Sequence, residues 1–145
     1  MIPCLILGDS HAVATAAEVR TIVGEQCAFI TQNGLSSTAI LKRTPTIAYA
    51  AAVISAGGND AENPDLATNL YAIRGRLKVG RVVWLLPYSR EAAATIRWVA
   101  QRWGDQVIDL SWARPRKDGL HCLSYSWVAR SVVRYGYVPS RRTTP

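Results

Sequence analysis

The chain has 145 residues, enough for one domain with a real core and too few for two. Hydrophobic residues make up 49% and charged ones 19%, a balance that excludes disorder and marks a folded domain. The net charge of +7 is lopsided: 10 Lys/Arg stand against 9 Asp/Glu up to Ser111, and 7 against 1 from Trp112 onward. A field of that sign draws an anionic partner, or simply solvates one basic face.

Short buried runs alternate with longer amphipathic segments. Residues 2–7 read as a strand and 12–23 as a helix. A second strand covers 27–31, and 35–42 is a short helix or turn. A third strand, rich in Ala and Val, covers 47–55, and 64–77 is helical with Pro64 and Asp65 suited to its first turn. The Val-Val-Trp-Leu-Leu run makes 81–86 a strand covered on both faces. A helix over 90–103, a short strand over 106–110, a loop of Arg, Pro and Lys, and a helix over 123–135 complete the pattern. Strand-helix alternation predicts an α/β fold: a three-layer α/β/α sandwich around a flavodoxin-like, five-stranded parallel sheet. Residues 1–138 form the single domain, and 139–145 a basic flexible tail.

The longest apolar stretch, near residues 47–56, is far below the roughly 20 residues of a membrane span. The start of the chain lacks a basic lead-in and its apolar run is too short for a signal peptide. The expected location is the cytoplasm, or the cell wall reached by a route this chain does not encode. Cys4, Cys27 and Cys122 match neither a disulfide framework nor a zinc pattern, so reduced, buried thiols are expected. Of the five tryptophans, Trp84, Trp98 and Trp103 are expected in the core. Trp127 falls in the last helix. Trp112 or Tyr88 either packs or stacks on a sugar ring.

Ligands of an open parallel sheet bind beyond the carboxyl ends of its strands. Four blocks fall there: Gly8-Asp9-Ser10, Asn33-Gly34, Gly57-Gly58-Asn59-Asp60, and Asp118-Gly119-Leu120-His121. A serine hydroxyl needs a base to take its proton, and His121 is the better placed of two histidines. Asp118, three residues earlier, is within reach of the other ring nitrogen and fixes the tautomer. The developing oxyanion needs donors, which the backbone amides of Ser10 and Gly34 and the side-chain amide of Asn59 supply. Asp9 and Asp60 read as residues that hold their turns. His11 reads as a helix-start residue at the pocket edge, or as a second acid or substrate contact.

These four blocks, in this order from Gly8 to His121, resemble the SGNH (GDSL-type) hydrolase superfamily. The resemblance implies Ser10, Gly34, Asn59 and His121 as signature residues, with Asp118 supporting the base. It also implies metal-independent hydrolysis through an acyl-enzyme, without a cofactor. His11 departs from the Leu or Ile that often follows the serine. The second block is weak, so the amide of Ser37 is an alternative to that of Gly34. The chain is short for the family and leaves little material for a lid.

The leading reading is a serine-dependent esterase that removes acetyl or another small acyl group from an acylated small molecule or glycan, in particular a carbohydrate or cell-envelope glycan, for which the basic quarter leaves open an anionic or a neutral substrate. The alternative is a peptidoglycan-degrading, lysin-like enzyme, of the kind phages encode, using the same serine. A basic, non-catalytic nucleic-acid-binding protein is the reading from another class. It is disfavoured because the cations form no reading helix interleaved with aromatics, so no nucleic acid partner is expected. The oligomeric state is not legible.

Overall fold

The computed structural model describes residues 2–140. Five strands, β1 (Ile2–Gly8), β2 (Cys27–Thr31), β3 (Ala48–Ser55), β4 (Lys78–Leu86) and β5 (Gln106–Asp109), form one sheet in the order β2-β1-β3-β4-β5. Every pairing is parallel. The helices are α1 (Ser10–Val23), α2 (Ser37–Arg43), α3 (Leu66–Arg76), α4 (Arg90–Trp103) and α5 (Ser126–Arg134), with a 3₁₀ turn at Leu110–Trp112. This is the three-layer α/β/α sandwich expected from the alternation.

Period-two alternation divides the strand residues between two cores. Leu5 and Leu7 of β1, Ile54 of β3 and Trp84 and Leu86 of β4 pack under α2, α3 and α4, beside Ile40, Leu70 and Ile96. Ile6, Val53, Val83 and Leu85 face the other way, under α1 and α5, beside Val19, Val128 and Val132. The chain leaves β1 for the edge strand β2 and returns to β3 on β1's other side, so the sheet's switch point lies between β1 and β3. That is where a doubly wound sheet opens a crevice.

The structure revises several sequence expectations. Helix α5 starts at Ser126 and not at residue 123, because the preceding segment is tied into a loop described below. Strand β4 begins at Lys78, three residues early, and runs through Gly80, over which the carbonyl of Ala50 lies only 3.0 Å from where a Cβ would sit. Cys4 and Cys27 are not free thiols: they form a disulfide, since the β1–β2 register sets them opposite each other with Cα atoms 4.6 Å apart. Cys122 alone is free, and it is buried.

Trp84 is fully buried, its indole N–H donating to Asp105 at 3.0 Å, but Trp98 and Trp103 are 46% and 39% exposed. The core stripe of α4 is Ala92, Ala93, Ile96, Val99 and Ala100, which turns Trp98 outward. There the Arg102 guanidinium lies over its ring, and Trp103 packs between Arg74 and Tyr71. Of the expected tail, residues 141–145 lie outside the described residues. Among the described residues, no helix is long and apolar enough to cross a membrane.

Candidate active site

The turn after β1 is built from backbone contacts first. Asp9 N–H donates to the Ser55 carbonyl at 3.1 Å, drawing β1 and β3 so close that a Cβ on Gly8 would sit 1.9 Å from that oxygen. Gly8 has φ +143°, a conformation open to glycine. Asp9 then caps α1, accepting from His11 N–H at 3.2 Å and from the Ser55 hydroxyl at 2.7 Å. Because Asp9 takes the capping role, the hydroxyl of Ser10, the first helical residue, is left free.

The second wall is a hairpin-like loop over residues 114–123. Pro115 and Cys122 pair as an antiparallel bridge, and Arg116 N–H donates to the His121 carbonyl at 2.6 Å. At its tip, Asp118 accepts from the backbone N–H groups of Leu120 (2.8 Å) and His121 (3.1 Å) through one oxygen. Its other oxygen lies 2.7 Å from His121 Nδ1. The Leu120 amide and the His121 ring together hold the Asp118 carboxyl down to about 2, so it is ionised across the working range. An ionised acceptor keeps the proton on Nδ1 and leaves the Nε2 lone pair open. The Ser10 hydroxyl meets that lone pair at 2.8 Å, across 111 positions of sequence. A hydroxyl, an imidazole and a carboxylate in this order form a chain along which a proton can leave oxygen.

The cleft in front of Ser10 has a volume of about 520 Å³ and is lined by Gly34, Asn59, Asp118 and His121 among others. All five sequence-predicted site residues therefore border one space. Gly34 has φ +80°, and the Asn59 side chain spends one N–H on the Leu35 carbonyl at 3.0 Å, leaving its second hydrogen unassigned. Ser37, the alternative to Gly34, is not available: it is buried, and its N–H and hydroxyl both donate to Asp60. Asp60 also accepts from Asn63, so it organises this loop.

Neither Tyr88 nor Trp112 borders the cleft. The Tyr88 hydroxyl donates to the Ala113 carbonyl at 2.9 Å, bracing the hairpin. Trp112 is 69% exposed and lines a separate groove with Trp127. Asn33 lines the cleft beside Gly34, whereas sequence reasoning missed Val13, Ala14, Arg116 and Tyr125 as cleft residues. Arg116 carried a signal in the basic loop, but nothing local distinguishes it from Arg114 or Lys117. Among the described residues, no group of three or more His, Cys, Asp or Glu is placed to hold a metal.

His11 is not at the pocket edge but buried behind His121, with ring centroids 5.3 Å apart. Cys122 N–H donates to the Tyr125 oxygen at 3.1 Å, and the same Tyr125 hydroxyl is hydrogen-bonded to His11 Nδ1 at 2.7 Å. Burial first, then the positive charge of His121, lowers His11 to about 4. Burial raises the neighbouring Asp9 to about 6, against hydrogen bonds from Ser55 and His11 that pull it down.

The two shifts act oppositely on stability. Unfolded Asp9 releases its proton near 3.8 and folded Asp9 near 6, so on this residue rising pH destabilises the fold across that window. Unfolded His11 gains its proton near 6.5 and folded His11 near 4, so falling pH destabilises the fold. From about pH 4 to 6 each state holds one proton on this pair, on opposite residues, and the slopes cancel. Asp9→Asn is expected to lose roughly 3 kcal/mol relative to wild type as pH falls from 6.5 to 4. His11→Gln is expected to gain a similar amount as pH falls from 6 to 4. Urea titrations across that range read the slopes, and parallel profiles for all three proteins would refute them.

No protein-family model matches the sequence, and no curated protein matches it. Solved structures do match, and they show that the chain has the SGNH (GDSL-type) fold. A member of the lipolytic G-D-S-L family from Veillonella parvula aligns with a TM-score of 0.60 and 13% identity, over 92% of this chain and 97% of that one. The C-terminal catalytic domain of Streptococcus pneumoniae peptidoglycan O-acetyltransferase A, solved with a methylsulfonyl adduct, aligns with a TM-score of 0.52 and 14% identity, over 98% of this chain and 82% of that one. A further crystal structure reaches 0.67 at 17% identity, covering 94% and 99%.

Proposed function

We propose that the protein is a serine-dependent ester hydrolase that removes acetyl or another small acyl group from a carbohydrate or cell-envelope glycan. The observation that carries the proposal is the 2.8 Å contact between Ser10 Oγ and His121 Nε2, with Asp118 behind the ring. As Ser10 attacks the ester carbonyl, its proton passes to His121 and the carbonyl oxygen becomes an anion. The amides of Ser10, Gly34 and Asn59 stabilise that anion. The ester C–O bond then breaks, His121 returns the proton to the leaving alcohol, and the acyl group stays on Ser10. Water, deprotonated by the same imidazole, releases the acid. Asp118 holds the ring and stabilises the imidazolium.

The test uses chromogenic acetyl and butyryl esters together with a serine-reactive phosphonate. Turnover is expected, with the phosphonate adduct on Ser10. Asn59→Ala should lower turnover by on the order of 10² to 10³, the effect of losing one oxyanion donor, while the fold stays intact with only the modest destabilisation of losing its bond to the Leu35 carbonyl. An unchanged rate would remove Asn59 from that role.

The peptidoglycan O-acetyltransferase among the structural neighbours favours the wall as the place of action. It keeps a second reading in view, a peptidoglycan-degrading enzyme that uses the same serine. Wall clearing without ester turnover would select it. Salt-sensitive DNA binding that survives loss of both Ser10 and His121 would instead select the nucleic-acid reading.

A further inference from the structure

Two charged residues line the cleft, Asp118 and Arg116. Asp118 is committed to His121 and to its own loop amides. The Arg116 side chain, by contrast, has no ion-pair or hydrogen-bond partner among the described residues. Several arginines elsewhere in the fold are engaged, Arg74 with Asp105, Arg90 and Arg97 with Asp109, and Arg81 with backbone carbonyls after α5, and among the arginines it is Arg116 that lines this cleft. Arg116 is thus an uncommitted guanidinium facing the reaction space.

Its place relative to the chemistry is set by the hairpin. Arg116 N–H bonds to the His121 carbonyl, so the two residues are cross-strand neighbours on one wall. Gly34 and Asn59, the proposed oxyanion donors, come from the loops after β2 and β3. In ester cleavage the imidazole protonates the leaving oxygen, so the alcohol fragment passes against the wall that carries His121. Arg116 stands beside that path.

We infer that Arg116 recognises a carboxylate on the alcohol fragment of the substrate, which makes the preferred substrates O-acyl derivatives of hydroxy acids or sugar acids. A guanidinium presents a planar fork that matches a carboxylate with two parallel N–H···O bonds. The surrounding cations Arg114 and Lys117 add a field that concentrates anions at the cleft mouth without contacting the bound group. The inference deepens the esterase reading and rests on it.

The experiment compares kcat/KM for 4-acetoxybenzoate, whose leaving alcohol carries a carboxylate, with that for methyl 4-acetoxybenzoate, whose leaving alcohol is neutral. The anionic-to-neutral ratio is the readout, because intrinsic reactivity cancels between variants. R116Q is expected to lower the ratio about tenfold, mainly through KM for the anionic ester. R116K, which keeps the charge but loses the fork, should fall in between. In the wild type the ratio should also decline as salt rises from about 50 mM to about 500 mM. A ratio equal in wild type and R116Q overturns the inference and leaves the esterase standing. A wild type that hydrolyses neither ester, and is not labelled at Ser10, overturns both.

Discussion

Ser10→Ala and His121→Ala are each expected to lower ester turnover by on the order of 10⁴ to 10⁶, and the double variant by no more than either single change. The reason is geometric. Without His121 the hydroxyl keeps its proton, and without the hydroxyl the imidazole has nothing to activate. Each removal therefore abolishes the same event. The hydroxyl and imidazole lie in a part-buried contact, with no backbone group depending on either polar atom. Melting curves should accordingly move by no more than the roughly 0.5 kcal/mol typical of partly exposed substitutions. Rates are measured on an aryl acetate, with active-site titration to exclude a contaminating esterase. Losses that multiply in the double variant would mean that the two residues act separately, and the proton path described above would have to be abandoned.

The second large effect concerns folding. Gly8→Ala should leave little or no cooperatively folded protein. A methyl at position 8 would sit 1.9 Å from the Ser55 oxygen and 2.8 Å from its carbonyl carbon, both backbone atoms at the end of the central strand. The positive φ of +143° adds strain of its own. Relief requires β1 and β3 to separate, which breaks the Asp9 to Ser55 bond and the β1–β3 ladder around it. Substitutions that overpack a rigid site in this way belong to the rare class above about 4 kcal/mol, against a total stability of roughly 5 to 15. A cooperative melt within a few degrees of wild type would show that the strands give way easily. The first residue of the Gly-Asp-Ser block thus serves packing, the second capping, and the third is free for chemistry.

That division explains how much was legible from the sequence. The motif blocks were readable because each is contiguous: a turn, its cap and its reactive group are fixed by neighbours in the chain. The order of strands and helices was readable because β1, β3 and β4 are buried on both faces and α4 carries a clean stripe. What escaped depends on partners far away in sequence. Cys4 and Cys27 meet through strand register, which spacing does not reveal. His11 owes its burial and its hydrogen bond to Tyr125, 114 positions on. Ser37 was lost to the site because Asp60 captured it from another loop. Trp98 and Trp103 remain outside because cations, and not the core, cover their rings. Arg116 is set apart from its basic neighbours only by the fold of the hairpin.

The 111-position gap between serine and imidazole has a consequence for biosynthesis. All five strands, the helix that bears Ser10 and the loop that carries Asn59 precede the hairpin in the chain. A nascent polypeptide can assemble most of the sheet on the ribosome while position 121 is still unmade or inside the exit tunnel. Through that interval the hydroxyl has no base beside it, so acyl groups in the surroundings are not touched until synthesis has passed the hairpin.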